Sequence, residues 1–203
     1  MSQPSFHIRQ GTPSTEDAQA AARFLDTAAE GFFRILLGQN AAKILAQAYV
    51  RPHNEYSYEN TLIAERDGKQ VGMAFGFTSA QRRAFPKNPL RDCEGYPRVR
   101  AGLLGFLFHP MLRILETIPD DDFYLLSLAV EEDQRGMGVG SSLIEATEVR
   151  ASEVGARRFS LDVAAKNDGA QRVYRRQGFE AYERWPKWIH LKRVGLYRMA
   201  KEL

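Results

Sequence analysis

Apolar residues in this chain follow two periods, and the clearest run lies in its second half. Leu125, Leu126, Leu128, Ala129 and Val130 are nearly continuous, as in a central strand covered on both faces. A strand is expected over Phe123 to Val130, then a tight acidic turn from Glu131 to Gln134. Arg135-Gly136-Met137-Gly138-Val139-Gly140 follows at once, and SSLIEATEVRASEV continues with helical spacing.

Upstream, Phe6 to Arg9 alternates as a short strand. Thr12 is the expected cap of a first helix with Pro13 at its first position, and Ala18, Ala21, Ala22, Leu25 and Ala28 form the helix's apolar stripe. Two more helices are expected, one with Phe32 to Leu37 before Gly38 and one around Ile44, Leu45 and Ala48. Pro52 to Asn60 is polar and aromatic and reads as a loop. Thr61 to Glu65 and Val71 to Thr78 read as strands joined through Asp67-Gly68, a strong hairpin pair. Gly72 and Gly76 in the second strand call for a close neighbour or a bend. Residues 79–122 are irregular, a basic proline-punctuated loop and then a Leu-, Phe- and Met-rich stretch broken by Pro110. A short helix or two is expected there.

Downstream, Arg158 to Val163 alternates as a strand, and Asn167-Asp168-Gly169 opens a helix that runs to about Arg176, before Gly178. Glu180 to Trp185 and Leu196 to Ala200 form a last strand pair, with Trp188 and His190 in the connection. The order β-α-α, β-β, insert, β-α-β-α-β-β predicts one α/β (α+β) domain over residues 1–203. Its sheet would be mixed and mostly antiparallel, of about six to seven strands, flanked by helices.

Composition narrows the chemistry. A formal net charge of +3 makes no case for nucleic acid, and the pI near 9.0 is compatible with an anionic ligand. The single cysteine, Cys93, excludes an internal disulfide framework and fits a reducing compartment. Without a histidine nearby, Cys93 is not expected to be a nucleophile. No apolar run is long enough to span a bilayer, and MSQPSFHIRQ lacks the apolar centre of a signal peptide. The chain is therefore read as cytoplasmic.

The glycine-rich segment carries the specific signal. Glycines let a ligand approach the backbone, and the first N–H groups of a helix have no partner within it, which makes an anion site. A P-loop would need Gly-Lys-Ser/Thr, but Gly140 is followed by Ser141-Ser142. A dinucleotide fingerprint would need a third glycine where Ser141 stands. Arg135, Gly138 and Gly140 instead match Arg/Gln-x-x-Gly-x-Gly. A second pattern starts 27 residues after Gly140, with Asn167, Ala170, Tyr174 and Gly178-Phe179. Asn167, Ala170 and Tyr174 are three and four residues apart and share one helix face.

From about Tyr124 to Phe179 the chain resembles the GNAT superfamily of N-acetyltransferases. The resemblance implies a central parallel pair of strands that splays apart, and acetyl-CoA as the cofactor. Leu128, Ala129 and Val130 would face the pantetheine arm and the thioester carbonyl. Arg135, Gly136, Met137, Gly138, Val139, Gly140 and Ser141 would cradle the pyrophosphate. Asn167, with Ala170 on the same face, would bond the pantetheine or phosphate end, and Tyr174 would sit beside the sulfur. The resemblance does not extend to the insert at 79–122, which reads first as a helix packed on the sheet and second as a wall or lid over an acceptor pocket.

The chemistry that this implies is direct attack of an amine on a thioester, with no metal and no covalent enzyme intermediate. Only about one lysine-like amine in a thousand is neutral at pH 7.4, a cost of roughly 4 kcal/mol, so a base is needed. A donor for the developing oxyanion is worth about 3–4 kcal/mol. Tyr174 is placed to protonate the departing thiolate. Some relatives carry a glutamate where this chain has Tyr124, which leaves Glu65 as the expected base, ahead of Asp121, Asp122, Glu131 and His190.

The acceptor is a small-molecule or peptide amine, and a homodimer stays open. Two rivals remain, an acyl-CoA-binding sensor without turnover and a nucleotide-binding protein using GMGVG.

Overall fold

The computed structural model describes residues 6–106, 117–186 and 195–203. Seven strands form one sheet: β1 (His7–Gln10), β2 (Thr61–Arg66), β3 (Lys69–Thr78), β4 (Asp122–Val130), β5 (Arg158–Ala164), β6 (Glu180–Trp185) and β7 (Leu196–Glu202). Their spatial order is β1-β2-β3-β4-β5-β7-β6. Every pairing is antiparallel except β4 with β5. The mixed sheet and its one parallel pair agree with the sequence reading.

Helices cover both faces. On one side lie α1 (Thr15–Ala28), α2 (Phe32–Leu37) and α3 (Ala41–Tyr49). Their residues Ala18, Phe24, Leu37, Ile44 and Leu45 pack with Ile63, Met73, Phe75 and Ala129 of the sheet. After α4 (Ser79–Ala84), the opposite face carries α5 (Val139–Glu153), whose Val139, Leu143 and Ile144 pack against Ala64, Ala74, Phe123 and Leu125. The period-two alternation of the strands divides these two clusters. A last helix, α6 (Asp168–Arg176), follows β5.

Local chemistry explains most boundaries. Asp67 and Gly68 both have positive φ, 51° and 72°, which a two-residue hairpin turn with the right twist requires. A Cβ on Gly76 would come within 2.4 Å of the Phe123 ring, so glycine admits the close neighbour expected there. The cap of α1 is Ser14 and not Thr12. The Ser14 hydroxyl accepts from the Asp17 amide at 3.2 Å. Thr12 is diverted: its amide and hydroxyl both donate to the Asp17 carboxylate, at 2.9 and 2.7 Å. The irregular segment yields α4, capped by Thr78 and Gln81, and helical residues 98–106. The expectation around Pro110, and those for Trp188 and His190, fall outside the described residues.

β4 departs from regular pairing at one point. Phe75 pairs with Ser127 while Gly76 pairs with Leu125, so Leu126 is an extra, bulged residue. On the other edge, β4 and β5 pair only from Asp122–Arg158 to Leu125–Leu161. Beyond this, Asp162, Val163 and Ala164 pair with β7 alone. A bulge bends its strand and increases the local twist. The two central strands therefore diverge into a fork that begins at the bulge.

Candidate active site

The fork leaves the β5-facing edge of Leu126 to Val130 without a strand partner among the described residues. Five residues give about 16 Å of free main-chain edge. This edge leads into the turn, where the Glu131 amide donates to the Val71 carbonyl at 2.9 Å and the Glu131 carboxylate takes Arg23 of α1 at 2.9 Å.

At the end of the edge the chain turns through Gly136 and Gly138, whose φ angles are 78° and 87°. Gly138 caps α5 without a side-chain bond, and Ser142 is the first amide of the helix to bond back, to the Gly138 carbonyl at 3.0 Å. The amides of Gly136, Met137, Gly138, Val139, Gly140 and Ser141 thus donate to no described protein group. A Cβ on Gly136 or Gly138 would meet no described atom within 4 Å beyond the adjoining residues, so the loop is open on that side. Such amides, at the positive end of a helix dipole, suit an anion. Arg135 hydrogen-bonds the Val130 carbonyl through Nε at 3.3 Å, and Arg66 holds the loop from below through the Gln134 side chain and the Met137 sulfur.

The other prong of the fork ends in α6. Asn167 is its N-cap, and its side-chain oxygen accepts from the Ala170 amide at 3.0 Å. The side-chain amide of Gln171 donates to the carbonyls of Ala164 and Ala165, both at 3.2 Å, which fixes the helix against the end of β5. Sequence reasoning missed Gln171. Tyr174 is half-buried, meets Phe179 edge to face at 5.8 Å, and has its hydroxyl pKa pushed up to about 12 by burial. Lys166 pairs with Glu30 at 2.5 Å, linking the turn after α1 to the end of β5.

The sequence-predicted base is not brought to the fork. Glu65 lies on β2, with β3 between it and β4, and its carboxylate takes Arg9 Nε at 2.7 Å. Asp122 is occupied by Arg158 at 2.8 Å. Cys93 is buried with its thiol pKa raised by burial.

Two features had no counterpart in the sequence reading. Glu55, in the connection between α3 and β2, is only 9% exposed, its Oε2 has no partner among the described residues, and burial raises its carboxyl pKa. The adjacent Tyr56 ring meets Phe33 of α2 edge to face at 5.8 Å. At the apex of the fork, Tyr124 donates to Asp162 Oδ2 at 2.8 Å, and Asp162 takes Arg198 Nε and Nη2 at 3.0 and 2.9 Å. Burial first, and then the Asp162 charge, hold the Tyr124 hydroxyl well above its usual range.

Comparison with known proteins gives a consistent picture. The family described as "Acetyltransferase (GNAT) family" matches residues 23–179. A solved acetyltransferase is similar at 24% identity and TM-score 0.67, covering 97% of this chain and 98% of that one. An N-acetyltransferase from Staphylococcus aureus Mu50 is similar at 18% identity and TM-score 0.72, over 96% and 100%. A ribosomal-protein-alanine N-acetyltransferase from Brucella melitensis is similar at 20% identity and TM-score 0.56, over 97% and 99%. None of the curated proteins matches the chain.

Proposed function

Because the chain belongs to the acetyltransferase (GNAT) family, we propose that its fork binds acetyl-CoA and that the enzyme passes the acetyl group directly to a primary amine. The observation that carries this reading is the continuity of the free β4 edge with the unpartnered amides of Gly136 to Ser141. An extended arm bearing amides along its length and a diphosphate at one end fits that continuity.

Acetyl-CoA supplies an acyl group activated as a thioester. The protein's part is binding, orientation and proton handling. Main-chain groups of Leu128, Ala129 and Val130 would pair with the arm, in the manner of an added strand. The amides of Gly136, Met137, Gly138, Val139, Gly140 and Ser141 would hold the diphosphate, with Arg135 adding positive charge. Asn167 has its oxygen engaged in capping, so its side-chain amino group is what remains to meet the arm, with Ala170 keeping that helix face small. The Tyr174 hydroxyl, protonated at ordinary pH, would donate to the leaving sulfur.

Two carboxyls are candidates for the amine's proton. Glu65, the one expected from sequence, is tied to Arg9. Glu55 is buried, and burial raises its carboxyl pKa, which makes it the second candidate. Single Gln variants of each distinguish them.

The test combines binding and turnover. Calorimetry should detect CoA and acetyl-CoA, and thiol release should appear with members of an amine panel and fall in Tyr174→Phe. Absence of CoA uptake by folded protein would overturn the reading.

A further inference from the structure

We propose that the Tyr124–Asp162–Arg198 cluster is the stop that limits the enzyme to short acyl groups. The inference rests on the acetyl-CoA reading above and adds which thioesters the site admits.

The argument starts from strand alternation. Phe123, Leu125, Leu161, Val163, Tyr197 and Met199 all pack on the α5 side of the sheet. Tyr124, Asp162 and Arg198 lie between them in sequence and so project from the opposite face. Tyr124 stands one residue before the last β4–β5 pair, and Asp162 stands one residue after it. Their bond at 2.8 Å therefore crosses the fork at its apex.

The cluster is buried and internally bonded. Tyr124 is 1% exposed, and the side chains of Arg198 and Asp162 are 1% and 3% exposed. Arg198 uses Nε and Nη2 on Asp162 and Nη1 on the Thr117 carbonyl, at 2.6 Å. The three side chains hold one another, and moving any of them would strand a buried charge.

The direction of the ligand follows from the fork. A diphosphate at Gly136 to Ser141 sends the arm along the free edge from Val130 towards Leu126, with its acyl end at the apex. An acetyl group ends in front of the cluster. Each added methylene would press an apolar segment against a buried ionic network. One methylene too many in a closed pocket typically changes discrimination by about 10–200-fold.

The experiment is a calorimetric titration of CoA, acetyl-CoA and butyryl-CoA into the wild-type chain, Tyr124→Phe and Tyr124→Ala. Wild type should bind CoA and acetyl-CoA alike and butyryl-CoA at least about 10-fold more weakly. Tyr124→Phe keeps the ring volume and should keep that ratio, whereas Tyr124→Ala should bring butyryl-CoA to within about 3-fold of acetyl-CoA. A wild-type protein that binds all three equally overturns the proposal, and this arm needs no variant to fold. A folded Tyr124→Ala that still discriminates also overturns it. Failure of wild type to bind CoA itself would instead sink the acetyl-CoA reading.

Discussion

Gln171 spans from α6 to the end of β5, where its one side-chain amide donates to both Ala164 and Ala165. It is 4% exposed. Tyr174 lies one turn along the same helix, so the position of its hydroxyl depends on this tether. Gln171→Ala would leave two carbonyls with one fewer donor each, and an unmade buried hydrogen bond costs about 1–3 kcal/mol. For a chain of this size that is about 2–4 °C of melting temperature per kcal/mol. Thermal unfolding should show the loss, and turnover should fall more than CoA affinity does, because the diphosphate loop is untouched.

The fork was legible in sequence only in part. The apolar run of β4, the glycine spacing and the Asn167–Tyr174 helix are local patterns, and local patterns survive without tertiary information. The Asp67-Gly68 turn was legible for the same reason. The cap of α1 was misplaced because Thr12 and Ser14 are equally good caps in isolation. What decides between them is Asp17, which occupies Thr12 while itself paired with Arg9 of β1. The apex cluster was invisible because it joins three strands far apart in the chain. Its only trace is a charge in an otherwise inward-reading position, Asp162 within SLDV and Arg198 within LYRMA. Glu65 was preferred as the base because it ends a strand. Its pairing to Arg9 across β1 and β2 is a long-range fact that no spacing announces.

Gly138 tests the anion site. Its φ of 87° is costly for any residue with a Cβ, by roughly 1–2 kcal/mol. The Cβ itself would meet no protein atom within 4 Å, so its only obstruction is to a ligand. Gly138→Val should therefore unfold at a slightly lower temperature and lose far more in CoA binding, about 10-fold or beyond by calorimetry. Equal affinity in the folded variant would place the diphosphate elsewhere.

Tyr174 carries a pH prediction. With its pKa pushed up to about 12, the hydroxyl stays protonated through neutral and moderately alkaline pH. Rate against pH should therefore show no fall from this group until close to that value. Tyr174→Phe should lower kcat by about 100-fold, the smaller end of what a positioned acid contributes. An alkaline fall near pH 9 that disappears in Tyr174→Phe would contradict the assignment.

Glu55 separates stability from activity. Its pKa in the folded protein lies above the ordinary 4.5, because burial disfavours the charged form. The folded state thus holds the proton more tightly than the unfolded chain does. Whatever stability the protonated carboxyl supports is complete below pH 4.5 and is lost as pH rises through the raised folded value. Once ionised, the buried carboxylate has an Oε2 with no partner among the described residues. Glu55→Gln removes that charge, so above the pH at which the carboxyl ionises it should be more stable than wild type, by about 1–3 kcal/mol. Its stability should also vary less as pH rises above 4.5. If Glu55 is the base, the same variant should lose about 100-fold or more in kcat while binding CoA normally. Chemical denaturation at several pH values, with thiol release alongside, reads both. A variant both less stable and fully active would show that Glu55 serves neither purpose.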